Sequence, residues 1–146
     1  MPNHWLLKTE PSTYSFADLQ RERRATWDGV SNPVALRHLR SMSRGDKAFV
    51  YHTGDVKAIV GIATVVSDPY PDPKLGDPKR VVVDLEPAEP LPRPVSLAVV
   101  KADRQFADFA LVRISRLSVM PVTPQQWKAL LAMGGGQGRA LPNKTR

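Results

Sequence analysis

Two proline-rich stretches, at residues 69–78 and 87–94, place the strongest constraint on how this chain can fold. Proline has no backbone N–H group, so it interrupts the hydrogen-bond ladder of a β-sheet. We therefore expect both stretches to be loops between strands. The nearly continuous apolar runs beside them, at residues 58–66 and 80–85, predict strands that are buried in a barrel or between layers.

Three short helices are predicted from their capping residues. Ser15, Asn32 and Thr123 each stand where a side-chain oxygen can accept a hydrogen bond from the first turn of a helix, and the last two precede a proline. The predicted helices cover residues 16–23, 34–42 and 125–133. Further strands are predicted at residues 4–8, 48–52, 109–112 and 117–119. Together these elements predict an α+β domain with a small curved sheet or barrel.

The charge of the chain favours a polyanionic partner. Twenty-one lysine and arginine residues stand against 14 aspartate and glutamate residues, a formal net charge of +7. Nucleic acid is the first candidate for such a surface, although solubility alone explains the charge about equally well. Cysteine is absent and the three histidines lie far apart, so we expect no metal site and no cofactor. No apolar run approaches the roughly 20 residues that span a bilayer, and no signal peptide is visible, so no membrane partner is expected.

Polar and aromatic residues at the ends of predicted elements are the candidate functional residues, because no known catalytic motif is present. Trp27 lies between two predicted helices, where a tryptophan either fills the core or lines a cleft, and its position alone favours the core. Lys8-Thr9-Glu10 and Tyr51-His52-Thr53 end two strands and are expected at a rim. Arg116 and Ser118 share one strand face, which equally supports a nucleic-acid contact or a structural salt bridge.

Several ordered motifs resemble those of EVE-domain proteins. They include His4-Trp5-Leu6-Leu7-Lys8-Thr9-Glu10-Pro11, Trp27-Asp28-Gly29-Val30, Tyr51-His52-Thr53 and Arg116-Leu117-Ser118-Val119-Met120-Pro121-Val122. The resemblance covers residues 3–133. It implies a PUA-like fold, a curved β-barrel with flanking short helices, related to the YTH readers of methylated adenine in RNA.

The resemblance implies a non-enzymatic reader that holds a modified base, with methylation expected, in an aromatic-lined pocket. DNA and RNA remain equally open as the partner. An enzyme that acts on a nucleotide or modified nucleic acid through the same pocket is the alternative, with Lys8, Glu10 or His52 as its acid or base. A protein-interaction module is a third interpretation.

The resemblance also assigns the candidate pocket. Trp27 matches the position of a cage tryptophan in YTH domains, which reverses the preference for core packing. The complete set of expected ligand-binding residues is Lys8, Glu10, Trp27, Asn32, Tyr51, His52, Thr53, Arg116 and Ser118. The chain departs from the usual EVE pattern at Ser31, where the family has an arginine, and near Arg80, where it usually has a tryptophan.

The domain is expected to cover residues 1–134, followed by a flexible basic tail over residues 135–146, because Gly134-Gly135-Gly136-Gln137-Gly138 breaks the composition. The chain resembles the short bacterial forms of the family, for which a cytoplasmic location is expected. A monomer is slightly favoured over an oligomer.

Overall fold

The structure, a computed structural model, describes residues 3–135. Seven strands form a mixed sheet in the order β2-β6-β4-β3-β1-β7, and β5 pairs with β6 outside this path. The strands are β1 (His4–Thr9), β2 (Ala25–Trp27), β3 (Lys47–His52), β4 (Ala58–Val65), β5 (Tyr70–Pro71), β6 (Val81–Ser96) and β7 (Val119–Val122). The sheet curls into a half-barrel, which confirms the predicted α+β, PUA-like architecture.

Five helices flank the sheet within the described residues. They are α1 (Phe16–Glu22), α2 (Pro33–Arg40), α3 (Leu97–Ala102), α4 (Ala110–Arg113) and α5 (Pro124–Met133), with a 3₁₀ turn at Arg104–Phe106. The three predicted helices are present within one or two residues of their predicted ends. Ser15 and Asp18 form the predicted capping box on α1, and Thr123 and Gln126 form one on α5.

One pair of neighbouring strands in the sheet is parallel. β1 pairs with β3 in parallel and with β7 in antiparallel register, so β1 lies in the interior of the sheet. Its residues Trp5, Leu6 and Leu7 are buried, and burial on both faces explains why this strand has no alternating pattern. The carboxyl ends of β1 and β3 therefore lie side by side, where Lys8 is opposite Tyr51.

The prediction of a loop at residues 87–94 is wrong, because this stretch belongs to the 16-residue strand β6. β6 pairs with β4 from Leu85 to Ser96, with register shifts beside Pro87 and Pro90. β2 pairs only with Val83–Leu85 of β6, so beyond Leu85 the second edge of β6 has no partner strand among residues 3–135. Proline is tolerated at bulges and along an unpaired edge, since no ladder donor is needed there.

Two other strand predictions are corrected. Residues 109–112, predicted as a strand, form the start of the short helix α4, in which buried Leu111 packs into the core. The last strand begins at Val119 instead of at 117. The predicted tail, apart from Gly135, lies outside the described residues. None of the helices in residues 3–135 is long and apolar enough to cross a membrane.

Candidate functional site

A cleft of about 900 Å³ opens beside the ends of β1 and β2. Its walls come from β1, β2, the loop between β2 and α2, and the segment before β7. Of the expected site residues, the cleft brings together Lys8, Trp27, Asn32, Arg116 and Ser118. These residues are separated by up to 110 positions in the chain, so only the curled sheet makes them neighbours.

Trp27 is part of the core and also lines the cleft, the two positions that the sequence offered as alternatives. It is the last residue of β2, opposite Val83 of β6, and its exposed fraction is only 8%, yet it lines the cleft. The ring of Tyr14 stands edge-on to it, with the centroids 6.2 Å apart and the planes at 80°. The indole N–H of Trp27 makes no hydrogen bond with another residue of the described range. Trp27 and Tyr14 thus form an aromatic corner of the cleft. Its exposed surface is small, and the indole N–H of Trp27 is an unused hydrogen-bond donor.

Asn32 caps a helix with its side-chain oxygen and keeps its side-chain NH₂ group free of hydrogen bonds within residues 3–135. Its Oδ1 atom accepts hydrogen bonds from the backbone N–H groups of Val34 and Ala35, at 2.9 and 3.1 Å, and so caps α2. Its amide NH₂ group makes no hydrogen bond within residues 3–135. Because an amide can donate two hydrogen bonds while its oxygen accepts, the capped helix holds Asn32 still and leaves its donors available to a ligand.

Basic groups also line the cleft. Lys8 Nζ donates to the carbonyl of Ser115 at 2.9 Å and lies 5.7 Å from the centre of the Tyr51 ring. Burial lowers the pKa of Lys8 below its ordinary value. Arg116 is exposed, and among residues 3–135 it forms no ion pair. Arg116 therefore keeps its charge available for an anionic ligand, which the sequence alone left undecided.

A polar cluster behind β2 orients two further residues of the cleft. Asp84 accepts hydrogen bonds from Tyr70 at 2.6 Å, from Thr26 at 3.0 Å and from Arg24 at 3.1 Å. Burial raises the pKa of Asp84, but these hydrogen bonds outweigh it and hold the pKa below its usual value. Thr26 and Arg24 both line the cleft. The carboxylate of Asp84 thereby fixes their side chains.

Arg80 holds the loop that borders Trp27. Its Nε donates to the carbonyl of Val30 at 3.0 Å, and Val30 itself is buried. Gly29 has a φ of 80°, a conformation that costs glycine nothing. The guanidinium of Arg80 therefore fixes the loop beside Trp27.

The family comparison supports what this geometry suggests. A family model described as "EVE domain" matches residues 3–133. The chain belongs to the EVE-domain family. The resemblance expected from the motifs is therefore confirmed.

Known EVE relatives match most of the chain. Rat thymocyte nuclear protein 1 is 30% identical over 167 aligned residues, which cover 91% of this chain and 74% of the rat protein. A solved protein from Rhodopseudomonas palustris is 45% identical with a TM-score of 0.87, covering 91% of this chain and 93% of that one. Human thymocyte nuclear protein 1, solved in complex with DNA containing 5-methylcytosine, is 28% identical with a TM-score of 0.81, covering 96% and 99%.

Four expected site residues of this EVE domain lie outside the cleft. Tyr51 and Thr53 line a separate, smaller cavity. His52 Nε2 accepts a hydrogen bond from the backbone N–H of Phe16 at 3.0 Å, at the start of α1. The Glu10 carboxylate accepts from the N–H and the hydroxyl of Ser12. Residues next to each other in a strand point to opposite faces, so Tyr51 and His52 are separated.

Sequence reasoning missed several residues of the cleft. These are Tyr14, Arg24, Thr26 and Lys74. Tyr14 donates to Glu22 at 2.8 Å, and burial together with this bond raises its pKa. β2 is only three residues long and gives no periodic signal, so no pattern could show that Thr26 and Arg24 accompany Trp27. Within residues 3–135, no group of three or more His, Cys, Asp or Glu side chains is placed to hold a metal ion.

Proposed function

We propose that this EVE domain binds DNA that carries a modified base, and that the base leaves the duplex to occupy the cleft beside Trp27. The observation that supports this most directly is the cleft itself, which combines an aromatic corner with unpaired donors and a basic rim. The human relative's complex with DNA containing 5-methylcytosine supports the choice of DNA and of a methylated pyrimidine as the first ligand to test.

The charges of the cleft suit a nucleic-acid strand. Lys8, Arg24, Lys74 and Arg116 line it, against the acidic residues Glu22 and Asp28. Cationic side chains at the rim of a site contact phosphates and position the strand without reading its sequence. The uncharged polar groups beside Trp27 are then the ones that can distinguish one base from another.

Stacking on Trp27 contributes less than in an open aromatic cage. Full stacking of a base on an aromatic ring is worth about 1–3 kcal/mol, but Trp27 is 8% exposed, so we expect the lower end of that range. Burial of one methyl group adds about 0.8 kcal/mol, or about fourfold in affinity. Strong discrimination therefore requires the donors of Asn32 and Trp27 to meet acceptors on the edge of the base, because unpaired polar groups enforce selection.

A panel of short oligonucleotides tests the proposal. The panel contains single-stranded and duplex DNA with unmodified cytosine or 5-methylcytosine at one position, and RNA of the same sequence. We expect the methylated DNA to bind at least fourfold more tightly than its unmodified control. The bases recovered after incubation are analysed for chemical change, which separates a reader from an enzyme. Equal affinity for methylated and unmodified strands of every kind contradicts the proposal.

A further inference from the structure

A second cavity, of about 170 Å³, shares Lys8 with the cleft. We call it the lysine pocket and define it by Lys8, Lys57, Lys101, Tyr51, Thr53 and Leu111. Lys8 comes from β1, Tyr51 from the end of β3, Lys101 from α3 and Leu111 from α4. Four regions of the chain therefore meet to form it, and of its three lysines only Lys8 also lines the cleft.

The lysine pocket has three cations and no carboxylate in its lining. Among residues 3–135, neither Lys57 nor Lys101 forms an ion pair. Glu10 lies nearby, against Gly54 at the rim, where the N–H and the hydroxyl of Ser12 hold its carboxylate, so three positive charges stand against one negative charge. Convergent like charges create a local positive potential, which an anion relieves.

The backbone around the pocket holds these lysines in place. Lys57 has a φ of 48°, in the left-handed region that residues other than glycine and asparagine seldom adopt. Its carbonyl accepts a hydrogen bond at 2.8 Å from the N–H of Leu97, the first residue of α3. This bond joins the Lys57 loop to the helix that presents Lys101. Backbone conformations of this kind persist where the surroundings enforce them, and they concentrate at ligand sites.

The two cavities are adjacent to each other. Lys8 lines both of them, Ser115 lines the lysine pocket, and the next residue, Arg116, lines the cleft. A ligand with one part in the cleft and an anionic group nearby can therefore reach the lysine pocket across Lys8. A nucleic-acid strand has this form, because a phosphate follows every nucleotide. The half-buried apolar side chains of Leu97 and Val112 offer a surface to the adjoining sugar.

We infer that the lysine pocket binds a phosphate group of the DNA strand whose modified base occupies the cleft. This inference rests on the proposed function. The ammonium group of lysine acts as a point charge without a fixed fork of donors, so the pocket contributes affinity for any sequence and does not select the base. Base selection and strand affinity are thus divided between two adjacent cavities.

The salt dependence of DNA binding tests this division. Lys101→Gln removes one charge from the pocket. Lys57→Asn removes another and keeps a residue that tolerates the left-handed conformation. Lys128→Gln is the matched control, since Lys128 is also an exposed helical lysine but lines neither cavity. The plot of log affinity against log salt concentration has a negative slope, and we expect each pocket variant to make this slope less steep by about one unit. The change should be the same for methylated and unmodified DNA. The control variant should leave the slope unchanged.

Inorganic phosphate provides a test of the site that does not depend on the proposed function. Titration of phosphate into the wild-type protein, against chloride at equal ionic strength, is expected to shift the NMR amide signals of Thr53 and Gly54, and Lys101→Gln to reduce these shifts. If phosphate shifts these signals but the salt slopes of the variants equal the wild type, the pocket binds free phosphorylated molecules and the strand inference is wrong. If neither effect occurs, the phosphate site itself is refuted.

If the wild type binds methylated and unmodified DNA equally while the pocket variants still lower the slope, the proposed base recognition fails and the phosphate site stands. Failure of the two proposals is therefore distinguishable. Circular dichroism of each variant confirms that the fold is retained, since Lys57 and Lys101 are exposed side chains and their removal leaves no buried cavity.

Discussion

The cleft and the lysine pocket share Lys8, but the side chains proposed to bind the ligand differ in how far they are buried. The cleft is formed partly from the core, since Trp27 is buried to 92%, and its polar groups are fixed by caps and by the Asp84 cluster. The lysine pocket is bordered by exposed side chains such as Lys57 and Lys101. A rigid wall can discriminate between bases, whereas lysine point charges give affinity without selection. Substitution of the buried Trp27 should therefore change stability and selectivity, whereas substitution of the exposed Lys57 or Lys101 should change only affinity.

The largest contrast is expected in the free energy of unfolding. Trp27→Ala should lower it by about 3–5 kcal/mol, because a large buried ring is replaced by a cavity. Lys101→Gln should change it by no more than about 0.5 kcal/mol, as is usual for an exposed side chain. Urea unfolding of both variants measures the two values.

Trp27→Phe controls for the loss of folding, because it keeps most of the buried ring while it removes the indole N–H. This variant should stay folded and lose part of the preference for the methylated strand. A Trp27→Ala protein as stable as the wild type would show that Trp27 does not belong to the core, and the comparison would fail at its first step.

Asn32→Ser gives the next largest effect. Serine caps a helix about as well as asparagine, so the free energy of unfolding should stay within about 0.5 kcal/mol of the wild type. The amide donors are lost, which should weaken binding of the methylated strand by about 1 kcal/mol, or roughly fivefold. The salt slope should not change, because no charge is removed.

The matched control for this prediction is Lys101→Gln, which should show the reverse result: a lower salt slope with unchanged preference for the methylated base. Fluorescence anisotropy titrations of both strands at several salt concentrations measure affinity, preference and slope together. If Asn32→Ser binds as the wild type does, the amide of Asn32 takes no part in recognition.

The smallest effect concerns pH. Burial lowers the pKa of His52 below its ordinary value of 6.5, although Glu10 opposes the shift. The unfolded chain therefore takes up the proton first, so the stabilisation is complete above pH 6.5 and is lost as the pH falls through the lower, folded pKa. Protonated His52 cannot accept the hydrogen bond from Phe16, which begins α1 beside the cleft.

His52→Gln isolates this contribution, because His4 and His38 have lowered pKa values as well. The glutamine side chain can still accept a hydrogen bond, and it does not titrate. We expect the loss of unfolding free energy between pH 7 and pH 5 to be smaller in this variant, by about 0.5 kcal/mol. Thermal unfolding at a series of pH values measures it, and parallel curves for the two proteins would contradict the assignment.

The sequence was sufficient where the determinants are local. Ser15, Asn32 and Thr123 each act on backbone groups within three residues, so the starts of α1, α2 and α5 were predictable. The strand through Pro87 and Pro90 was not, because its stability depends on pairing with β4, more than 20 residues earlier.

The residues of the candidate site were likewise predictable only where local motifs identify them. Trp27 and Asn32 were identified by motif resemblance, and both line the cleft. Tyr51 and His52 were expected beside them, but consecutive strand residues face opposite sides, and which side the cleft occupies depends on the curl of the whole sheet. Arg24 and Thr26 are positioned by Asp84, 60 and 58 residues away, a relation that no local pattern contains.

The most direct test of the account is a crystal structure of this EVE domain with a short DNA duplex that contains one 5-methylcytosine. We expect the methylated base to lie outside the base stack, in the cleft, in contact with Trp27 and hydrogen-bonded to the amide of Asn32. A DNA complex in which the methylated base remains stacked in the duplex, and the cleft contains no base, would contradict it.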